Sequence, residues 1–182
     1  MSFNEADGLK LISSARHALL NDLQLIKGYL FLKRTEKANE LMDQLTDRLR
    51  VQAQLSHLQI PECAFYLITY SWAAHPFRFS VGVDGGETDL SARDHQLVRF
   101  FEHFFDILEK FASDTGTNRA MVTFHLNTPA FSVTERFEGT LTDAKQARER
   151  MAASYRTLPC VEHYEADDSV PNKVRWQYCL SI

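Results

Sequence analysis

The chain has 182 residues, 45% of them apolar and 24% charged, with a net charge of −4. These values describe one medium or two small globular units and argue against a general nucleic-acid binder. No apolar run reaches membrane-span length, and the opening MSFNEADG lacks the basic-then-apolar layout of a signal peptide. A cytoplasmic protein is expected, with neither nucleic acid nor a membrane as partner. Cys63, Cys160 and Cys179 stand far apart without metal-ligand spacing, so they read as buried, inert thiols.

Residues 3–57 read as a long helical hairpin. Ile12, Leu19, Leu23, Ile26 and Leu30 recur at the spacing of an a/d seam. Arg34-Thr35-Glu36-Lys37 breaks the pattern; Thr35 is placed to cap the next helix, with Glu36 in its first turn. Ala38, Met42, Leu45 and Leu49 continue the seam on that helix, which ends before Pro61. A lone hairpin cannot bury both seams, so the economical arrangement is a four-helix bundle made with a second copy. The rival is a monomer that folds the hairpin back onto its own C-terminal part.

After Pro61 the period changes. Residues 62–73 are a buried helix or a strand; periodicity does not decide between them. FRFSVGV, 77–83, alternates as a strand and ends in the turn Asp84-Gly85-Gly86. Residues 91–113 form a helix capped by Ser91, with Leu97, Phe100, Phe101, Phe104, Ile107, Leu108 and Phe111 on its apolar face. Residues 120–126 and 131–137 are strands around Asn127-Thr128-Pro129-Ala130, 142–155 another helix and 173–182 a last strand. This mixture indicates an α+β layer, a sheet covered on one face by helices. The organisation expected is a hairpin domain, 1–58, followed by a mixed domain, 59–182.

Within the first helix, His17, Asn21, Gln24 and Gly28 share one line. At about 100° per residue they fall within about 60° of one another and roughly opposite the apolar seam. Leu20 and Leu25 flank the line, and apolar residues beside an exposed polar stripe suggest a docking surface. Gly28 costs about 1 kcal/mol against alanine inside a helix, and would let another backbone approach closely. A solvent-facing imidazole is largely neutral near pH 7, and its free lone pair can attack an acyl phosphate and carry the phosphoryl group covalently. A surface histidine without a role is the plain alternative.

Arg16-His17-x-x-x-Asn21-x-Leu23-Gln24-x-Ile26-x-Gly28-x-Leu30 resembles the histidine box of citrate/malate-type sensor kinases and, more closely, that of the sporulation initiation phosphotransferases. The second resemblance extends through Leu55-Ser56-x-Leu58 to Pro61, Ala64-Phe65, Trp72 and Asp89-Leu90-Ser91-Ala92-x-Asp94, and covers about residues 14–126. It implies a dimeric helical bundle followed by a degenerate histidine-kinase-like ATPase domain that has lost its nucleotide site. The implied function is relay of a phosphoryl group from a single-domain receiver, through His17, to a DNA-binding response regulator that starts sporulation. Arg16, Leu20, Asn21, Gln24, Leu25 and Gly28 would then line the receiver-docking face. No cofactor of the chain's own is implied, and Mg²⁺ is expected in the receiver. The family box usually has an acid directly after the histidine, whereas this chain has Ala18. That counts against ATP-dependent autophosphorylation more than against relay, and leaves open a slow or inactive homologue.

Residues 97–112, LVRFFEHFFDILEKFA, lack the asparagines an ATP site of that superfamily needs, and only Gly116 and Gly139 follow Gly86. ATP binding is therefore not expected, and Asp84-Gly85-Gly86 reads as a turn. The remaining histidines stand at isolated positions. Glu135 with Glu138, and Asp167 with Asp168, read as solvated charges. Three rival readings remain: a histidine kinase whose ATP site has diverged, a non-catalytic dimer that sequesters receivers, and a plain α+β structural protein.

Overall fold

The structure, a computed structural model, describes residues 5–127, 131–156, 161–166 and 172–181. Two helices come first, α1 (Glu5–Phe31) and α2 (Thr35–Ser56), antiparallel and joined by a three-residue turn. They meet through Leu11, Ala15, Ala18, Asp22, Ile26 and Tyr29, the half-buried to buried stripe of α1. Small side chains there let the helices approach closely, and Asp22 pairs with Arg48 across the hairpin. The expected seam is covered only in part: Ile26 and Ala38 are buried and Leu45 is half-buried. Ile12, Leu19, Leu23 and Leu30 on α1, with Met42 and Leu49 on α2, stay 41–61% exposed in the single chain. Thr35 does not cap α2: the cap position is Arg34, without a side-chain hydrogen bond, and Thr35 is the first helical residue.

The segment left undecided from sequence is a helix, α3 (Pro61–Tyr70), because Pro61 at its first turn and the amide partners described below start it as one. Strand β1 (Arg78–Asp84) follows, then a 3₁₀ turn, Ser91–Arg93, and helix α4 (Asp94–Phe111). Ser91 therefore opens the 3₁₀ turn instead of capping α4; its amide is held by Asp89 at 2.9 Å. β2 (Arg119–His125) runs parallel to β1, and β3 (Ser132–Thr140) pairs antiparallel with β2. Helix α5 (Ala144–Tyr155) leads to β4 (Val161–Ala166) and β5 (Lys173–Ser181). The sheet order is β1-β2-β3-β5-β4, with β5 antiparallel to both neighbours. β4 was not anticipated from the sequence. Cys160, residues 128–130, Asp167 and Asp168 lie outside the described residues.

One face of the sheet carries Val122, Phe124, Val133, Phe137, Trp176, Tyr178 and Leu180 into the core. Helices α3, α4 and α5 cover it, with Phe100, Phe101, Phe104 and Phe105 of α4 fully buried. All seven apolar-face residues expected on α4 are in this core. Alternate residues, such as Arg119, Arg136 and Arg175, face outward, as a one-sided sheet requires. That alternation also buries Glu135, between Val133 and Phe137 on the core face, so its reading as a solvated charge is corrected. Its Oε2 accepts the Tyr155 hydroxyl, and burial pushes its carboxyl well above the ordinary range. Glu138 is exposed, as read, and accepts Arg175 at 3.1 Å.

The junction between hairpin and sheet is held from the 87–94 segment. The Leu90 amide donates to the Leu58 carbonyl at 3.0 Å, His57 Nδ1 meets Glu87 at 2.9 Å, and Asp94 accepts the amides of Glu62 and Cys63. At the end of β1, Gly85 has φ +134°, and an added Cβ would stand 2.6 Å from Leu126 Cβ. The turn thus demands glycine for its backbone, without reference to any ligand.

Candidate functional site

His17 sits in the middle of α1, where consecutive hydrogen-bonded turns fix its direction. The α1 stripe that packs on α2 centres about 140° around the helix from His17, and His17 is exposed accordingly. Among the described residues, no hydrogen bond ties its ring. Arg16, Leu20, Asn21, Gln24, Leu25 and Gly28 are exposed as well, so all seven residues singled out from sequence lie on the free surface of one helix. Leu20 and Leu25 border the His17 line from either side.

Gly28 has nothing within 4 Å of the position an added Cβ would take. Intrachain packing therefore does not require glycine there. Arg16 Nη2 reaches Ser13 Oγ at 3.4 Å, within its own helix, and it is free to swing outward. Ala18 is half-buried, on the flank turned toward α2. Asp22, the one carboxylate near His17 in sequence, is directed at Arg48. The His17 line thus carries no carboxylate that could hold a divalent cation.

The other histidines are dispersed. His75 is the most enclosed, its ring stacked on Tyr70 at 3.9 Å, with Nδ1 at 2.5 Å from Glu109 and Nε2 at 2.6 Å from the Tyr70 carbonyl. His95 lies 3.7 Å from Glu62, and His125 Nε2 is 3.0 Å from Thr134 Oγ1. The partners of His57, His75, His95 and His125 all lie outside α1.

Two further features were not read as functional from sequence: an apolar tip on the hairpin and the capping role of Asp94. Phe31 and Leu32, at the end of α1, are 87% and 61% exposed. Asp94 reaches back to start α3. The signal for the first was two adjacent apolar residues beside the basic break at 33–37; nothing local signals the second.

Comparison with known proteins places two family models side by side on this chain. "Sensor kinase SpoOB-type, alpha-helical domain" matches residues 2–58, and "Sporulation initiation phospho-transferase B, C-terminal" matches residues 59–168. Sporulation initiation phosphotransferase B of Bacillus subtilis (strain 168) is 29% identical over 121 residues, covering 66% of this chain and 63% of that protein. The match thus spans just under two thirds of the relative's length. Among solved structures, the histidine kinase AdeS of Acinetobacter baumannii aligns at TM-score 0.42 and 9% identity, covering 91% of this chain and 97% of that one. The blue-light activated histidine kinase EL346 of Erythrobacter litoralis aligns at TM-score 0.43 and 11% identity, covering 94% and 58%.

Proposed function

The chain belongs to the sporulation initiation phosphotransferase B family, and from that premise we propose that it is a phosphorelay phosphotransferase with His17 as its nucleophile. A receiver protein carrying an aspartyl phosphate docks along the exposed face of α1, against Leu20, Asn21, Gln24 and Leu25, with Arg16 at the edge and Gly28 admitting its backbone. A neutral ring nitrogen of His17 attacks phosphorus. The N–P bond forms, the acyl P–O bond breaks, and the electron pair leaves on the receiver's carboxylate. The reverse step delivers the phosphoryl group to the aspartate of a second receiver, a DNA-binding response regulator that controls entry into sporulation.

Both steps exchange one activated phosphoryl bond for another, so positioning and charge neutralisation carry the acceleration. The Mg²⁺ that neutralises the phosphate belongs to the receiver's acidic pocket, because the His17 line carries no carboxylates. The protein works as a homodimer in the cytoplasm, its exposed seam closing a four-helix bundle with a second copy. It has no nucleotide step of its own.

The observation that carries this reading is the placement of His17: exposed, flanked by leucines and turned away from the hairpin contact. The test mixes the protein with a phosphorylated single-domain receiver, without ATP, and follows label onto the chain. Acid-labile, base-stable label that is absent from His17→Gln is the expected result. Receiver binding without label would instead make the protein a sequestering dimer, a reading favoured by Ala18 at the position where the family usually has an acid. Label acquired directly from ATP would make it a divergent kinase.

A further inference from the structure

The apex of the hairpin has a composition its surroundings do not explain. Helix α1 ends in a closed turn: Lys33 N donates to the Leu30 carbonyl and Arg34 N to the Tyr29 carbonyl, at 3.0 and 2.8 Å. This is the Schellman arrangement, and its left-handed position ordinarily takes glycine. Here that position is Lys33, with φ +55°. A left-handed conformation is unfavourable for a side chain such as lysine, so the fold itself would prefer glycine.

The turn displays Phe31 and Leu32, 87% and 61% exposed. Around them stand Lys27, Lys33, Arg34 and Lys37, all exposed, against the single acid Glu36. In a chain of net charge −4 this is a local excess of three positive charges over residues 27–37. Lys37 Nζ lies 5.8 Å over the Tyr29 ring, which keeps that cation close to the turn.

The shape of the apex selects the occupant. Phe31 and Leu32 are consecutive, so their side chains diverge by about 100°, and both stand exposed at the apex of the hairpin, beside the shallow hollow lined by residues 33–37. A protein would have to supply a separate pocket for each. A bilayer interface accepts an exposed apolar tip directly, and anionic headgroups complement the cations around it.

We propose that the hairpin apex, Phe31-Leu32 with Lys27, Lys33, Arg34 and Lys37, is a peripheral docking site for an anionic lipid surface. No helix among the described residues is long and apolar enough to cross a membrane; the contact is one of partial insertion. It revises the expectation that a membrane is no partner. His17 lies 14 residues back along α1, about 21 Å from the apex, so docking at the apex leaves His17 itself uncovered, while Gly28, three residues from Phe31, borders both surfaces. The proposal does not depend on phosphotransfer.

The test is sedimentation of the full chain with vesicles of phosphatidylglycerol and phosphatidylcholine in equal parts, and with phosphatidylcholine alone, at low and high salt. The expected result is binding to the anionic vesicles at least about tenfold stronger than to the neutral ones, weakened by salt. Phe31→Ser/Leu32→Ser and Lys33→Glu/Arg34→Glu should each lower it about tenfold. Lys33→Gly supplies the discriminating control, since it relieves the left-handed strain: its melting temperature should hold or rise while vesicle binding falls. Equal, weak pelleting with both vesicle types would overturn the proposal, as would wild-type pelleting by the two double variants.

Discussion

Asp94 accepts the backbone amide of Cys63 at 2.8 Å and that of Glu62 at 2.9 Å, from 31 and 32 residues away in sequence. The residue preceding α3, Ile60, offers no side-chain cap, so a carboxylate on the first turn of α4 supplies what the local sequence lacks. It also sits favourably at the N-terminal ends of two helices at once. Replacing Asp94 by alanine should cost about 1–2 kcal/mol in urea denaturation, with asparagine recovering part of that loss. Equal stability of wild type and Asp94→Ala would show that the cap is dispensable.

Glu135 links stability to pH. Its folded-state carboxyl is held well above the ordinary value of 4.5 because burial disfavours the charged form, and the Tyr155 hydrogen bond offsets this only in part. The folded chain therefore keeps a proton that the unfolded chain releases. Stability from this group is greatest below the unfolded value and is lost as pH rises toward the folded one, with a limiting slope of about 1.4 kcal/mol per pH unit. Glu135→Gln keeps an acceptor for the Tyr155 hydroxyl and removes the titration. Denaturation at pH 5 and pH 8 should show the variant with the smaller decline; parallel declines would mean that Glu135 is ionised in the fold.

The exposed seam predicts assembly. Leu23 is 49% exposed in the single chain, so Leu23→Arg should leave the helices intact by circular dichroism. In the proposed bundle the same side chain faces the partner copy, where an unpaired charge is expensive. Sedimentation equilibrium should therefore find wild-type dimers and largely monomeric Leu23→Arg. A wild-type monomer would remove the bundle from the proposal and leave the seam as an exposed apolar surface of one chain.

Gly28 separates stability from transfer. Nothing lies within 4 Å of its missing Cβ, so Gly28→Ala should raise helix stability by about 1 kcal/mol. If a receiver backbone passes close at this point, Gly28→Leu should slow transfer from a phosphorylated receiver by about tenfold or more, a loss of at least about 1.4 kcal/mol in transition-state stabilisation. Undiminished transfer by Gly28→Leu would move the docking face elsewhere on α1.

What the sequence alone determined follows from short-range periodicity. Spacings of three and four set the two long helices and the buried face of α4, because a helix repeats every 3.6 residues whatever it packs against. The same geometry aligned His17 with Asn21, Gln24 and Gly28, and the histidine box carried the family. Tertiary structure decided what depends on a partner remote in the chain. The hairpin closes on Ala15 and Ala18 together with Ile26 of the expected seam, and leaves the seam's leucines on α1 outside, because helix contact favours the small residues that permit close approach. Residues 62–70 became a helix once Asp94 could accept its first amides. Glu135 looked like one charge among several, although the alternation of β3 placed it between Val133 and Phe137; only the covering of that face by α4 and α5 made its burial real. A sequence records which side of an element is apolar, but which of two competing faces is covered depends on the free energy of packing against elements far along the chain.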